Sequence, residues 1–196
     1  MFKRKPCDDA GLLSLEKVIF QTEIILYDKI NREIENRLEE ENMMKPEMRR
    51  KDRQLTAEET MAIIKENKYG ILSTICEDGY PYGLPISYVY DEGKLYFHHT
   101  AHQGQIGENI KGEVKACFTV VGNTELLPAK FSTNYESVIA FGKIKACPDK
   151  FGVLMRLVKG LSPDFAEQGE KYARGSMDQV TVYEFEIEQM TGKARR

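Results

Sequence analysis

The sequence predicts an α+β fold: a six-stranded antiparallel β-barrel, closed or split, with short helices and an N-terminal amphipathic helix. Three observations support this prediction. Between residues 69 and 99 the apolar period is close to two, and short turns rich in Asp and Gly separate the strands. Helical periodicity returns only at the ends and crossings of this region. A chain of 196 residues, 41% of them hydrophobic, is long enough to bury such a core.

Residues 1–46 are predicted to form a helical extension, and residues 47–196 the barrel domain. In the extension, apolar residues recur at a spacing of four with charged residues between them, which is typical of an amphipathic helix: Leu26, Ile30, Ile34 and Leu38. The apolar stripe must bury against the following domain, a second copy of the helix, or another protein.

The first elements of the domain have clear local signals. Thr56 followed by Glu59 is a capping box, which predicts a helix over 57–67. The change to a period of two, together with turns at 77–79 and 91–93, then predicts three strands joined as a meander. Their predicted bounds are 69–75, 82–90 and 94–99.

The second half of the domain alternates strands with helices. A short helix is expected at 102–111, strands at 114–121, 135–146 and 180–188, and a helix at 151–161. Gly142 indicates a bend or bulge in the long fifth strand. Ser162 followed by Pro163 and Asp164 predicts a further helix with Ser162 as its N-cap.

Charge, cysteine usage and hydropathy exclude several functional classes. The net charge is −3, so there is no basic surplus for nucleic acid. No uninterrupted apolar run is long enough for a membrane span or an export signal, and the four cysteines form no metal-like pair. We therefore expect no membrane partner, reduced thiols and a cytoplasmic location. Neither a nucleophile elbow nor a Gly-rich phosphate loop occurs.

All three histidines fall within five positions, at 98, 99 and 102, and this cluster is the best functional pointer. His98 and His99 are neighbours on a strand and therefore point to opposite faces, so at most two of the three imidazoles could meet one ion, and no metal site is predicted. A structural histidine pair and a ligand site both remain open. The ligand site is favoured because the strand leads to a helix N-terminus near Gly104, where an anion could bind.

Four motifs carry a resemblance to a known family: MRRKDRQL, KYGILSTICEDGYPYGLPISYVYDEGKLYFHHTAHQGQ, KFSTNYESVIAFGK and the terminal TGKAR. In order and spacing they resemble the nitroimidazole-resistance (Nim) group of the pyridoxamine 5'-phosphate oxidase-like, FMN-binding split-barrel proteins, over about residues 48–196. The resemblance implies a homodimer of split barrels with two FMN sites at the subunit interface.

The resemblance also implies a set of FMN-binding residues. The backbone of 84–87 would lie beside the isoalloxazine, and residues 98–100 beside the ring and the ribityl chain. The family's Gly-x-Lys element normally gives a cation to the FMN phosphate, but Ile106 stands at the lysine position here, so nearby arginines and neutral donors must compensate. The full set is Arg49, Arg50, Arg53, Leu84, Pro85, Ile86, Ser87, His98, His99, Thr100, Gln105 and, from the other subunit, Tyr135, Glu136 and Ser137.

The function implied is that of an FMN-dependent oxidoreductase that passes electrons from NAD(P)H to a small acceptor such as a nitro-aromatic. His98 or His99 would donate a proton. The family's functional histidine directly follows Tyr-Phe, which selects His98, whereas counting back from the glycine of the Gly-x-Lys element selects His99. True pyridoxamine phosphate oxidases end in a Trp-containing segment, and this chain contains no Trp. Two alternatives remain, a non-catalytic FMN or haem carrier or sensor of the same fold, and a barrel that only dimerises while the N-terminal helix docks a partner.

Overall fold

The computed structural model describes residues 48–101 and 104–196. The predicted N-terminal helical extension, residues 1–46, lies outside the described residues, and so does His102. The described part is built on one seven-stranded antiparallel sheet with the order β2-β1-β5-β6-β7-β4-β3. Its strands are β1 Tyr69–Ile75, β2 Pro81–Ser87, β3 Val89–Asp91, β4 Lys94–Thr100, β5 Val114–Leu127, β6 Ser132–Ala146 and β7 Val180–Arg195.

The sheet has seven strands rather than six because the predicted strand 82–90 is divided at Tyr88. The Tyr88 backbone N–H donates to the carbonyl of Lys68 at 3.0 Å, and its buried hydroxyl donates to the carbonyl of Ile64 at 2.8 Å. These bonds fix a corner between β2, which pairs with β1, and β3, which pairs with β4. The two edge strands of the sheet, β2 and β3, follow each other directly in the chain and must therefore lie close together. The sheet consequently curls into a split barrel, as predicted.

Four α-helices complete the described part of the chain: α1 Ala57–Glu66, α2 Gln105–Asn109, α3 Lys150–Leu161 and α4 Ala166–Ser176. The capping box is confirmed, since the backbone N–H of Glu59 donates to Thr56 Oγ1 at 3.2 Å and that of Thr56 to Glu59 Oε2 at 3.0 Å. The helical start predicted at Ser162 is also present, since Ser162 is the N-cap residue and Pro163 the first residue of a 3₁₀ turn, Pro163–Phe165, that leads directly into α4. The Ser162 side chain makes no capping hydrogen bond, and its backbone N–H donates to the carbonyl of Val158 at the end of α3.

Three strands run further than their apolar patterns predicted, and one of them carries the expected bulge. The β6–β7 register shifts between Phe141 and Gly142, where a Cβ would lie 1.9 Å from the carbonyl oxygen of Glu186. In β5 the ladder is interrupted after Val121 and resumes at Thr124, so turn-forming residues there do not end the strand. These strands are therefore longer than the alternation alone suggests.

Two hydrophobic clusters lie on opposite sides of β4. The barrel interior contains Phe97, Phe118 and Phe185, all fully buried, and receives apolar side chains from α1 and α2. The second cluster lies where α3 and α4 cover the outer side of β4 and β7; it includes Tyr96 and Val182. None of the helices in the described ranges is both long and apolar enough to cross a membrane.

Candidate functional site

The barrel is split between the edge strand β2 and the opposite edge, which is β3 up to the Val89–Tyr96 pair and β4 beyond it, so the predicted residues 84–87 and 98–100 lie along the two walls of this split. Val89 pairs with Tyr96, and the same register would place Ser87 opposite His98. At that point β2 leaves to pair with β1, and β4 continues along β7. The two predicted segments therefore lie on either side of the opening, as a site between them requires.

The β2 wall offers backbone rather than side-chain chemistry. Leu84 and Ile86 point into the barrel core, whereas Pro85 and Ser87 are exposed on the outer face. Because β2 is an edge strand, half of its backbone N–H and C=O groups point away from β1 towards the split. These groups can bind a planar polar ring edge without any charged side chain.

On the β4 wall the two histidines face opposite sides, as the alternation predicted. His99 follows Leu95 and Phe97 on the barrel side, whereas His98 lines a cavity beneath α3 and α4. Nδ1–H of His99 donates to the carbonyl of Thr100 at 2.9 Å, so Nε2 is the ring nitrogen outside this bond. Burial lowers the pKa of His98 below its usual value, and the neighbouring charge of His99 lowers it further.

A cationic cluster formed by Arg53, Tyr135 and Lys193 lies at the far end of β6 and β7. Arg53 donates to the Tyr135 hydroxyl at 3.3 Å, and Lys193 Nζ lies 5.8 Å from the centre of the Tyr135 ring. The pKa of Tyr135 is lowered, first by the hydrogen bond from Arg53 and then by Lys193. Arg50 is engaged locally, since its Nε donates to Asp52 at 2.7 Å. The described contacts give no role to Arg49, which is exposed.

The N-terminal motif is joined to the C-terminal one by backbone pairing. Gln54 forms an isolated bridge with Lys193, and the N–H of Leu55 donates to the carbonyl of Gly192 at 3.0 Å. A Cβ at Gly192 would lie 2.2 Å from Oγ1 of Thr60, so this contact requires glycine. MRRKDRQL and TGKAR, which are distant in sequence, therefore form one structural unit.

The remaining predicted residues do not join these groups within one chain. Glu136 accepts a hydrogen bond from Nε of Arg196 at 3.1 Å, and Gln105 is exposed and donates to Asn109 at 2.8 Å. Ser137 pairs with Lys193, whereas His99 pairs with Thr181, twelve residues earlier on β7. At about 3.3 Å per residue the two positions are roughly 40 Å apart along the strand.

The structure adds to the interpretation of Ile106, which stands at the lysine position of the family's Gly-x-Lys element. Its side chain is 1% exposed and belongs to the barrel core. In this chain the position therefore contributes to packing and supplies no charge. Lys193 was missed as a candidate cation, although TGKAR had been recognised as a motif, because nothing local showed that it lies next to Tyr135.

A row of three apolar residues and two threonines, which we call the apolar row, crosses the outer face of the sheet. Pro85, Ile71, Thr119, Ile139 and Thr191 are consecutive partners across five strands. Ile71 and Ile139 are 38% and 41% exposed. Isolated apolar residues are common on protein surfaces, but a continuous row on one sheet face is typical of a binding surface.

A family model described as pyridoxamine 5'-phosphate oxidase matches residues 56–194, well over half of the chain. The chain belongs to this family. Its matched region contains the split, both histidines of β4 and nearly all of β7. No curated protein matches the chain.

Several solved structures share the fold. A candidate 5-nitroimidazole antibiotic resistance protein from Bacteroides thetaiotaomicron is 22% identical, with 72% of this chain and 86% of that chain covered and a TM-score of 0.57. A flavocytochrome from Azotobacter vinelandii is 19% identical, with 76% and 72% covered and a TM-score of 0.63. A FAD-binding protein from Mesorhizobium loti is 22% identical, with 74% and 98% covered and a TM-score of 0.53. At these identities the likeness concerns the fold alone.

Proposed function

We propose that the protein is an FMN-dependent oxidoreductase of this family that works as a homodimer, with the flavin held where the split of one barrel meets the outer face of the other. The observation that carries the proposal is the split itself, whose walls are an edge strand with free backbone groups and a strand bearing His99. Flavin binding by proteins of the same fold, a flavocytochrome and a FAD-binding protein, supports this choice of cofactor.

The described residues fit the two chemically different parts of FMN. The exposed apolar row through Ile71 and Ile139 can cover an aromatic ring system, and Arg53 and Lys193 can neutralise a phosphate by charge-assisted hydrogen bonds. In one chain the cationic cluster lies far along β7 from the β4 wall. A second chain is therefore needed to bring both parts to one cofactor, which is why we propose a dimer.

When bound, FMN accepts a hydride and transfers electrons. The chain supplies orientation and a proton. The backbone of β2 would hold the polar edge of the ring, while the apolar row excludes water. We assign the proton transfer to His99 rather than His98, because His99 lies on the barrel side of β4 and its Nδ1–H is held by a carbonyl, so that only Nε2 exchanges a proton.

We further propose that the electron donor is NAD(P)H and that the acceptor is a small nitro-aromatic molecule. This finer assignment is supported by the motifs shared with the Nim group and by the fold of the Bacteroides protein. The absence of Trp remains the argument against synthesis of pyridoxal phosphate.

The test is anaerobic reduction of the protein reconstituted with FMN. NADH or NADPH should bleach the flavin, and a 5-nitroimidazole should restore its colour. His99→Gln should slow re-oxidation by roughly 10²-fold or more, since this is the usual contribution of a general acid, while leaving flavin content similar. A flavin that neither nicotinamide reduces would contradict the oxidoreductase proposal. A chromophore identified as haem would favour the carrier or sensor instead.

A further inference from the structure

A cavity lies on the opposite side of β4 from the barrel interior. It has a volume of about 340 Å³ and lies between α3, α4 and the start of β7. Leu157 and Val158 line it from α3, and Tyr172 and Ala173 from α4. An engineered apolar cavity of roughly 150 Å³ already binds benzene, and ligand pockets begin at roughly 300 Å³. The volume is therefore sufficient for a small ligand.

The lining of this cavity is mainly apolar and carries no Lys, Arg, Asp or Glu; its neutral polar side chains are those of His98, Ser162, Gln168, Tyr172 and Ser176. The hydroxyl of Ser176 is already used, since it donates to the carbonyl of Tyr172 at 2.7 Å. None of the side-chain hydrogen bonds between described residues involves the ring of His98, which forms part of the wall and is exposed. The cavity thus combines a mainly apolar surface and a few neutral polar groups with one imidazole whose ring is available to donate or accept a hydrogen bond.

The mouth of the cavity is apolar as well. Phe165, in the 3₁₀ turn between the helices, is 61% exposed, and Tyr172 is 73% exposed. At Gly169 a Cβ would lie 2.3 Å from Cγ1 of Val158, so α3 and α4 approach closely there. Large aromatic side chains at the rim of an open cavity can pack on a ligand and shield it from water.

We propose that this cavity is a binding site for a small, neutral, mainly apolar molecule with one hydrogen-bonding group, which bonds to His98. A carboxylate is disfavoured because no cationic side chain lines the site, and a cation because no acidic one does. The site is separate from the split, because His98 and His99 point to opposite sides of β4. It extends the proposed function and does not depend on flavin binding.

Indole is a suitable probe, because the chain has no Trp and bound indole fluoresces against tyrosine alone. Fluorescence anisotropy of indole with the full-length, flavin-free chain should show saturable binding, and 1-octanol should compete far better than octanoate. His98→Leu should weaken indole roughly two- to tenfold, as the loss of one hydrogen bond predicts, and should leave toluene, which competes without a hydrogen bond, unaffected.

Filling the cavity provides the sharper test. Ala173→Leu, at a lining residue that is 1% exposed, should abolish the binding of indole and of every competing probe. Leu157→Phe fills the site from the other helix. It replaces the first variant in this test if circular dichroism shows that Ala173→Leu does not fold. Tyr80→Ala, at an exposed turn away from the cavity, is the matched control and should bind like the unchanged chain. Absence of saturable binding, or binding that survives both filling variants, would overturn the proposal. It would also be overturned if the protein were isolated with bound haem and the His98→Leu variant without it.

Discussion

At the scale of single residues, the two adjacent histidines of β4 illustrate how position decides chemistry. Both were candidates for one proton-transfer role, because their sequence neighbours gave conflicting alignments. The strand separates them: His99 lies on the barrel side, and His98 beneath α3 and α4. Alternation along the strand was predictable, but the side that each residue faces depends on which surfaces the helices cover, and that is a tertiary property.

The lowered pKa of His98 predicts a pH dependence of stability. The unfolded state binds this proton more readily than the folded state, so the free energy of unfolding should fall as the pH drops through the ordinary value of 6.5, and the effect should be absent above it. Urea unfolding between pH 5 and 8 measures this dependence. His98→Gln should flatten the curve near pH 6.5 relative to the unchanged chain. An identical slope in both proteins would contradict the assignment.

The buried position of Ile106 predicts opposite results for two added lysines. Ile106→Lys places a charge in the barrel core and should destabilise the fold by about 3 kcal/mol or more, without improving FMN affinity. Gln105→Lys adds the same charge at an exposed position and should leave stability within about 0.5 kcal/mol. Urea unfolding and FMN titration of both variants check this pair. A stable Ile106→Lys protein with tighter FMN binding would show that the side chain faces the cofactor after all.

At the scale of elements, the bulge at Gly142 is the point where β6 and β7 change register. The Cβ of Gly142→Ala would meet a backbone oxygen at 1.9 Å, which no side-chain rotation can relieve, so the variant should lose about 1–3 kcal/mol or more of stability. Gly107→Ala is the control, because nothing lies within 4 Å of its Cβ. Thermal unfolding measures both. Equal melting temperatures would mean that the ladder can slip to accept a side chain.

The elements that the sequence predicted well are those with strong local signals. The capping box at Thr56, the β1 bounds and the bulge at Gly142 all follow from nearby residues. The failures have a common cause. Tyr88 divides a strand through hydrogen bonds to Lys68 and Ile64, and β7 continues past Glu188 because it pairs with the far half of β6. Each depends on a partner that is distant in the chain.

For the candidate site, the sequence supplied segments and residue types. Motifs singled out segments of β2 and β4, and residue types pointed to a histidine and to cations. The particular cations could not be chosen, because Arg50 is engaged by Asp52 two residues away, whereas Arg53 meets Tyr135 across the fold. The cavity beneath α3 and α4 had no sequence signal, since its lining reads as ordinary amphipathic helix.

At the scale of the whole molecule, the exposed row on the outer face predicts that association and flavin binding are linked. Ile139→Lys, at a side chain 41% exposed in the single chain, should leave the monomer folded but abolish the dimer, and FMN affinity should fall with it. Tyr80→Lys, which adds a lysine at an exposed tyrosine in a turn, should change neither the dimer nor the FMN affinity. Sedimentation velocity with circular dichroism checks both variants. A dimer that persists in Ile139→Lys would place the interface elsewhere.

The central claim is that two chains together build the flavin site. Its most direct test is titration of the flavin-free chain with FMN, followed by sedimentation of the saturated protein with detection at the flavin absorbance. We predict saturation at one FMN per chain, with all bound flavin sedimenting at twice the mass of a single chain. Flavin that sediments with a monomer, or a dimer that binds no FMN, would contradict this account.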